Sequence, residues 1–188
     1  MLQRVIIKHF NLITGFHMKN ISLVSAILSL SVLQVANAAD GMINFTGNIT
    51  GTACVVDTTS VAVDLGTVSA SAFSGGAGTT AAAKRFNIVL KSCPASISSA
   101  SIRFDGTTNT INPSILALST GEPASNVGVA IYEQDNATLI PIGSASADVA
   151  LLADVNNTLT YFAKYMSTGT TVGVGSARSS TAFTVTYQ

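Results

Sequence analysis

The sequence contains no tryptophan, and aromatic residues fill only 6% of its 188 positions. Charge is scarce too. Charged residues make up 10%, and 9 Lys+Arg against 9 Asp+Glu leave no net charge. With no excess of cations to neutralise phosphates, a basic nucleic-acid binder is excluded. A charge-rich disordered tail is excluded by the same scarcity. Histidine is absent beyond position 17, the only two being His9 and His17. Downstream of them no Ser-His-Asp or Cys-His arrangement exists. A Ser-Lys pair using Lys84, Lys91 or Lys164 has no G-x-S-x-G elbow to carry it. The acidic residues sit near turns, where solvation is the usual role. Gly76-x-Gly78-x-x-Ala81 has the spacing of a dinucleotide loop, but no helical pattern follows it. Enzyme activity is therefore not expected, and neither a cofactor nor a metal site is called for.

What is present is a sequence rich in small and hydroxylated residues, with 22 Ser and 22 Thr. Together with Gly and Val at high density, they predict many short strands joined by turns. The N-terminus reads differently. From Met18 the chain runs through Lys19, an apolar stretch Ile21 to Val35, and the small-x-small site Ala36-Asn37-Ala38. That is the layout of a secretory signal peptide over 18–38, cleaved between Ala38 and Ala39. The stretch is short and broken by Ser and Gln, whereas a membrane span needs roughly 20 apolar residues. Residues 1–17 precede a complete signal and read as an over-extended start, with translation from Met18; an extended n-region is the other reading. The mature chain from Ala39 carries six basic and nine acidic residues, a net charge of −3, and no membrane span.

Cys54 and Cys93 are the only cysteines. In an exported chain an even count predicts one disulfide, and the spacing is too long for a Cys-x-x-Cys redox pair. Closing such a loop is worth roughly 4 kcal/mol on the chain-entropy estimate.

Alternation of apolar and polar residues predicts strands over 43–49, 61–65, 86–91, 102–105, 127–131, 159–166 and 183–187, with short apolar runs at 115–118 and 139–142. Pro141 suits an edge or irregular strand. Residues 145–153 are the only helical candidate and read equally well as a strand. No convincing 3.6-residue period, fixed repeat or linker appears, so one β-sandwich or barrel is expected. The segment 43–49 has Ile43, Phe45, Gly47 and Ile49 on one face. It is either the first strand of a closed sandwich or a free arm flanked by Gly41 and Gly51. A detached strand with an apolar face is a hazard unless a partner takes it.

Several motifs now align in order. They are Gly41-x-Ile43-x-Phe45-x-Gly47-x-Ile49 before Cys54, Val63-x-Leu65-Gly66, Phe86-x-Ile88-x-Leu90-x-x-Cys93, Gly128-Val129-Ala130-Ile131, Tyr161-x-Ala163-x-Tyr165 and Phe183-x-Val185-x-Tyr187-Gln188. In this register the mature chain resembles a chaperone–usher pilus subunit of the type 1 fimbrial kind. Residues 135–157 match nothing diagnostic. The resemblance implies an all-β, incomplete immunoglobulin-like β-sandwich over 54–188, completed by a donor strand from a neighbouring subunit. It implies that 39–53 is the N-terminal donor-strand extension, with Ile43, Phe45, Gly47 and Ile49 entering the neighbour's groove. Phe183, Val185 and Tyr187 would line this subunit's own groove and contact the strand of a periplasmic chaperone. The carboxylate of Gln188 would be held by basic residues of that chaperone, and Cys54–Cys93 would match the family's disulfide. The implied partners are identical or related pilus subunits, the chaperone and an outer-membrane usher. The implied location is the fimbrium at the cell surface, reached through the periplasm.

Two other functions fit the strand pattern less well. A small eight-stranded outer-membrane barrel needs aromatic girdles and strands of 9–11 residues, and both are in short supply. A self-contained secreted β-sandwich binding module of the carbohydrate type would use stacking aromatics, which are scarce. A tip adhesin resembles two domains, so the length suits a shaft or minor adaptor subunit. The sequons at Asn48, Asn136 and Asn156 read as chance matches.

Overall fold

The computed structural model describes residues 41–47 and 53–188. The chain divides into two units, 1–46 and 47–188. In the first, residues 41–46 carry no strand or helix, and Met42, Ile43 and Phe45 are exposed. Gly47 at the start of the second unit is likewise exposed and without regular structure. Ile49 and the expected cleavage pair Ala38–Ala39 lie outside the described residues.

The second unit is built from eight strands: β1 (Val55–Val56), β2 (Thr80–Lys91), β3 (Ser99–Asp105), β4 (Val127–Tyr132), β5 (Leu139–Ile140), β6 (Val149–Ala150), β7 (Asn157–Ser167) and β8 (Ala182–Tyr187). A single 3-10 turn, Ala70–Phe73, is the only helical element among the described residues. Two antiparallel sheets result. One has five strands in the order β1-β2-β7-β4-β5, the other three in the order β6-β3-β8.

The alternation seen in the sequence sets which face each strand buries. Ile88 and Leu90 of β2, Ile102 and Phe104 of β3, and Leu159 and Tyr161 of β7 are all at most 2% exposed and meet in one core. The Cys54–Cys93 disulfide closes one end of it. Phe86, Phe104 and Tyr161 pack edge-on or tilted between the sheets, with ring centroids 5.3 to 6.0 Å apart. The one polar group of this trio is paired: the Tyr161 hydroxyl lies 3.1 Å from Ser146 Oγ, which accepts the Ile102 N–H at 2.9 Å.

Burial pushes the Tyr161 phenol up to about 12, opposed by its hydrogen bond with Ser146 and assisted by the charge of Glu133. The folded state thus holds this proton longer than the unfolded chain, whose phenol titrates near 10. Its contribution is complete below pH ~10 and disappears as pH rises through about 12. Tyr161→Phe should therefore flatten the loss of stability between pH ~10 and ~12 by about 2–3 kcal/mol, read from denaturant unfolding against pH. An unchanged alkaline slope would show that the hydroxyl is not the titrating group.

Strand β4 is buried along all six residues. One face joins the main core, while Ala130 and Tyr132 pack with Ile115 and Met166 in a second small cluster. The cluster exists because residues around Leu116 bridge to the edge of β4, with Leu116 N–H to Val129 O at 2.8 Å and the return bond at 3.1 Å. Gly128 makes this approach possible. A Cβ there would lie 2.5 Å from the Leu116 carbonyl oxygen and 2.8 Å from Ile115 Cδ1. Gly128→Ala is expected to cost on the order of 2 kcal/mol or more by overpacking, measured as a shift in the denaturation midpoint.

Some expectations change in the structure. Residues 61–65 alternate as a strand would, yet form no ladder, because no strand among the described residues lies alongside them to pair with; Leu65 is buried while Val61 is 37% exposed. The 115–118 run contributes only the isolated bridges at Leu116. Residues 145–153 supply the two-residue strand β6 rather than a helix. Strand β2 begins six residues before the alternating stretch, since Thr80 to Arg85 continues the pairing with β7 across a bulge. Gly76 and Gly78 lead into β2, and the Gly78 N–H is already bonded to the Ser167 carbonyl at 2.8 Å. No phosphate cradle is formed there.

Candidate functional site

Strand β8 lies at the edge of the three-stranded sheet, paired only with β3, from Ala100 opposite Tyr187 to Asp105 opposite Ala182. Gln188 and Ser99 exchange two backbone bonds, of 3.0 and 3.2 Å. In an antiparallel ladder, bonding groups alternate along the strand. Thr186, Thr184 and Ala182 therefore turn their N–H and C=O toward β3. Tyr187, Val185 and Phe183 turn theirs away, and no described residue bonds to them.

The same three residues carry the apolar side chains of β8. They face the core but are only half-buried, whereas Ile102 and Phe104 on the neighbouring strand are 0% and 2% exposed. The inner face of β8 is thus incompletely covered. In front of it runs an open groove of about 1100 Å³. One wall is β8, with the 177–181 segment that precedes it. The other is the chain from Ala53 to Leu65, whose Val61, Val63 and Leu65 turn into the groove. Phe86, Ile88, Val129 and Ile131 form part of its floor. Gly66 ends the second wall with φ 69°, a left-handed value that glycine adopts without strain, and its N–H is held by Asp64 Oδ1 at 2.8 Å.

Polar groups gather at the ends of this groove. At one, the Tyr187 hydroxyl donates to the Cys54 carbonyl at 3.4 Å, tying β8 to the disulfide half of the far wall. The Gln188 carbonyl oxygen accepts from the Ser98 N–H at 2.8 Å, and its side-chain amide reaches Asp148. Toward the other, Tyr165 donates to the Ala177 carbonyl at 2.9 Å, and burial, reinforced by Asp64 and Glu122, raises its phenol above the ordinary range. Arg178 pairs with Glu122 at 3.1 Å. Among the described residues, Asp64 and Arg178 are the only charged ones lining the groove. Among the described residues no cluster of metal-ligating side chains occurs, and no helix is long and apolar enough to cross a membrane.

The structure brings Phe183, Val185 and Tyr187 together along one lip, with Cys54 at its end, bonded to Cys93. Gln188 sits just beyond that lip. Ile43 and Phe45 are exposed within their own unit. Sequence reasoning did not find the opposite wall and the floor. Val63, Leu65, Phe86 and Ile88 have the alternation of ordinary core strands, and nothing local distinguishes a groove floor from a closed core.

Residues 43–188 match the family model described as fimbrial protein. A type-1 fimbrial protein subunit of Serratia marcescens is 37% identical over 184 residues, covering 91% of this chain and all of the relative. The crystal structure of an antigen and type I fimbria protein of Burkholderia pseudomallei is 40% identical, covers 78% of this chain and 97% of that one, and superposes with a TM-score of 0.58. A P pilus rod subunit, 18% identical, shares the fold at a TM-score of 0.61 over 73% of this chain and all of its own. Matched along its whole sandwich by the family model and along its relative's full length, the chain belongs to the fimbrial protein family of structural pilus subunits.

Proposed function

We propose that this subunit joins its filament by β-strand addition at the open edge of β8, the entering strand being the 39–53 arm of the next subunit. The observation that carries this reading is the row Phe183, Val185 and Tyr187, whose backbone groups and apolar side chains are both left uncovered along one groove. A strand laid there gains main-chain bonds on one side and side-chain pockets below it. Ile43, Phe45 and Ile49 are the arm's apolar contacts, and Gly47 meets the shallow point. Head-to-tail repetition of such a contact does not close, and so yields a filament rather than a ring. Before assembly a periplasmic chaperone lends the missing strand and basic residues for Gln188, and an outer-membrane usher exchanges it for the arm. The signal at 18–38 sends the chain along this route to the surface fimbrium. The subunit does no chemistry of its own; its role is mechanical.

The test follows from the ladder. In a subunit with an empty groove, the amides of Phe183, Val185 and Tyr187 should exchange rapidly with solvent, while those of Thr184 and Thr186 are protected by β3. On assembly the first three should slow by on the order of a hundredfold or more, measured by hydrogen exchange. Equal exchange of all five amides in both states would exclude strand addition at this edge.

A further inference from the structure

The sandwich has a second open edge. Strand β2 pairs with β1 only at Leu90 and Lys91, and the Asp57 N–H reaches the Val89 carbonyl at 2.9 Å. Beyond that point the chain leaves β2. The Val89 bond shows which residues of β2 face away from β7, and by alternation Arg85 and Asn87 present free N–H and C=O groups to the outside. No described residue bonds to them. An edge of this kind is a template for another chain, and a protein that assembles by strand addition is unusually exposed to error there.

We infer that Lys84 and Arg85, with the bulge beside them, keep β2 from pairing with β2 of a second copy, and so confine strand addition to β8. Two isologous antiparallel registers are open to such a pair. In the first, Arg85 lies opposite the Arg85 of the other copy, where like charges repel, and Lys84 lies opposite the apolar Phe86. In the second, Arg85 lies opposite Asn87, which makes more bonds but sets Lys84 opposite Ile88. Lys84 follows the alternation of Phe86, Ile88 and Leu90 onto the core face, opposite Ala163 of β7, yet it is exposed and forms no ion pair among the described residues. The second register would therefore cover a lysine with an apolar neighbour, at a large desolvation cost. A longer overlap is blocked because the register shifts between Ala81 and Lys84, where Ala82 has φ 59°. On β8, by contrast, the alternation is regular and the inward row Phe183, Val185 and Tyr187 carries no charge.

This inference rests on the reading that β8 is the productive edge, and the experiment separates the two. The mature chain 39–188 is kept with a saturating synthetic peptide of residues 39–52, which fills the groove, and self-association is followed by size exclusion with light scattering. The wild type is expected to remain a one-to-one complex. Lys84→Val/Arg85→Thr should self-associate at least tenfold more tightly, while Lys84→Glu/Arg85→Glu, which again sets like charge against like, should stay as dispersed as the wild type. If the Val/Thr variant is no more associated than wild type, or the Glu/Glu variant associates equally, the protective role is refuted. Should the double Val/Thr variant fail to fold, Lys84→Thr/Arg85→Thr, which also removes both charges, is held to the same comparison. Failure of the wild type to take up peptide would count against the arm reading only, since the variants are compared in the same state.

Discussion

A sandwich lacking residues 39–52 will unfold at a low temperature by itself, and a peptide of that stretch will raise its midpoint sharply and dissociate slowly. The gain has two sources. Phe183, Val185 and Tyr187 acquire backbone partners on their free side, and the peptide's Ile43, Phe45 and Ile49 leave water for the groove. Burying an aliphatic or phenyl side chain is worth about 1.5–3 kcal/mol, so three such residues bring on the order of 6 kcal/mol before ordering costs. At a peptide concentration of about one hundred times Kd, the domain gains about 2.7 kcal/mol, several degrees in midpoint for a domain of this size. A peptide carrying Gly47→Leu should bind at least about tenfold more weakly, if position 47 meets a shallow pocket. Calorimetry of the truncated domain with each peptide decides the matter. A domain that is fully stable alone and indifferent to either peptide has a complete sheet, and the arm then has no role in assembly.

Replacing both cysteines, as Cys54→Ala/Cys93→Ala, should lower stability by roughly 4 kcal/mol, the loop-closure value for this separation, and the midpoint by about 10 °C. The structure adds a reason to expect more than a thermal effect. Cys54 opens the wall of the groove opposite β8, and that wall is otherwise fastened to β2 by a two-residue strand, the Asp57 to Val89 bond, the bond from Val89 N–H to Thr58 Oγ1 at 3.2 Å and the exposed Lys91–Asp57 ion pair at 2.7 Å. Without the disulfide the Ala53–Leu65 segment should loosen first, and arm-peptide affinity should fall by more than the global stability loss alone accounts for. Comparing peptide binding in the wild type and the double variant at a temperature where both are folded reads this directly. Equal affinity would mean that the wall is held by its packing and that the disulfide serves only global stability.

The strands rich in alternating apolar residues are legible in the amino-acid sequence. The alternating cores of β2, β3, β4, β7 and β8 fall where their patterns predict, because period-two burial is written into neighbouring residues. The pairing of Cys54 with Cys93 is legible from their even number in a chain whose sequence reads as exported. The 61–65 segment shows the limit. Its pattern is that of a strand, but a strand needs a neighbour, and the position beside it is the groove. The 145–153 segment is ambiguous between helix and strand, and pairing of Val149 and Ala150 with Ser99 and Ala100 resolves it.

Composition, cysteine count and alternation are local properties, and they suffice for the fold class, the covalent crosslink and the residues of the last strand. The motifs, in order, also carry the family resemblance. Tertiary packing is what places β8 at an edge, leaves its apolar row half-covered, and draws the wall facing it from residues 53–65. Packing likewise leaves β2 with a second open edge and Lys84 on its core face. These are statements about which strand has no neighbour. On β8 the absence of a partner leaves no mark, because the same alternating residues serve equally well at the centre of a sheet and at its rim; on β2 only Lys84 and Arg85 interrupt the pattern, and that they lie at an edge is visible only in the fold.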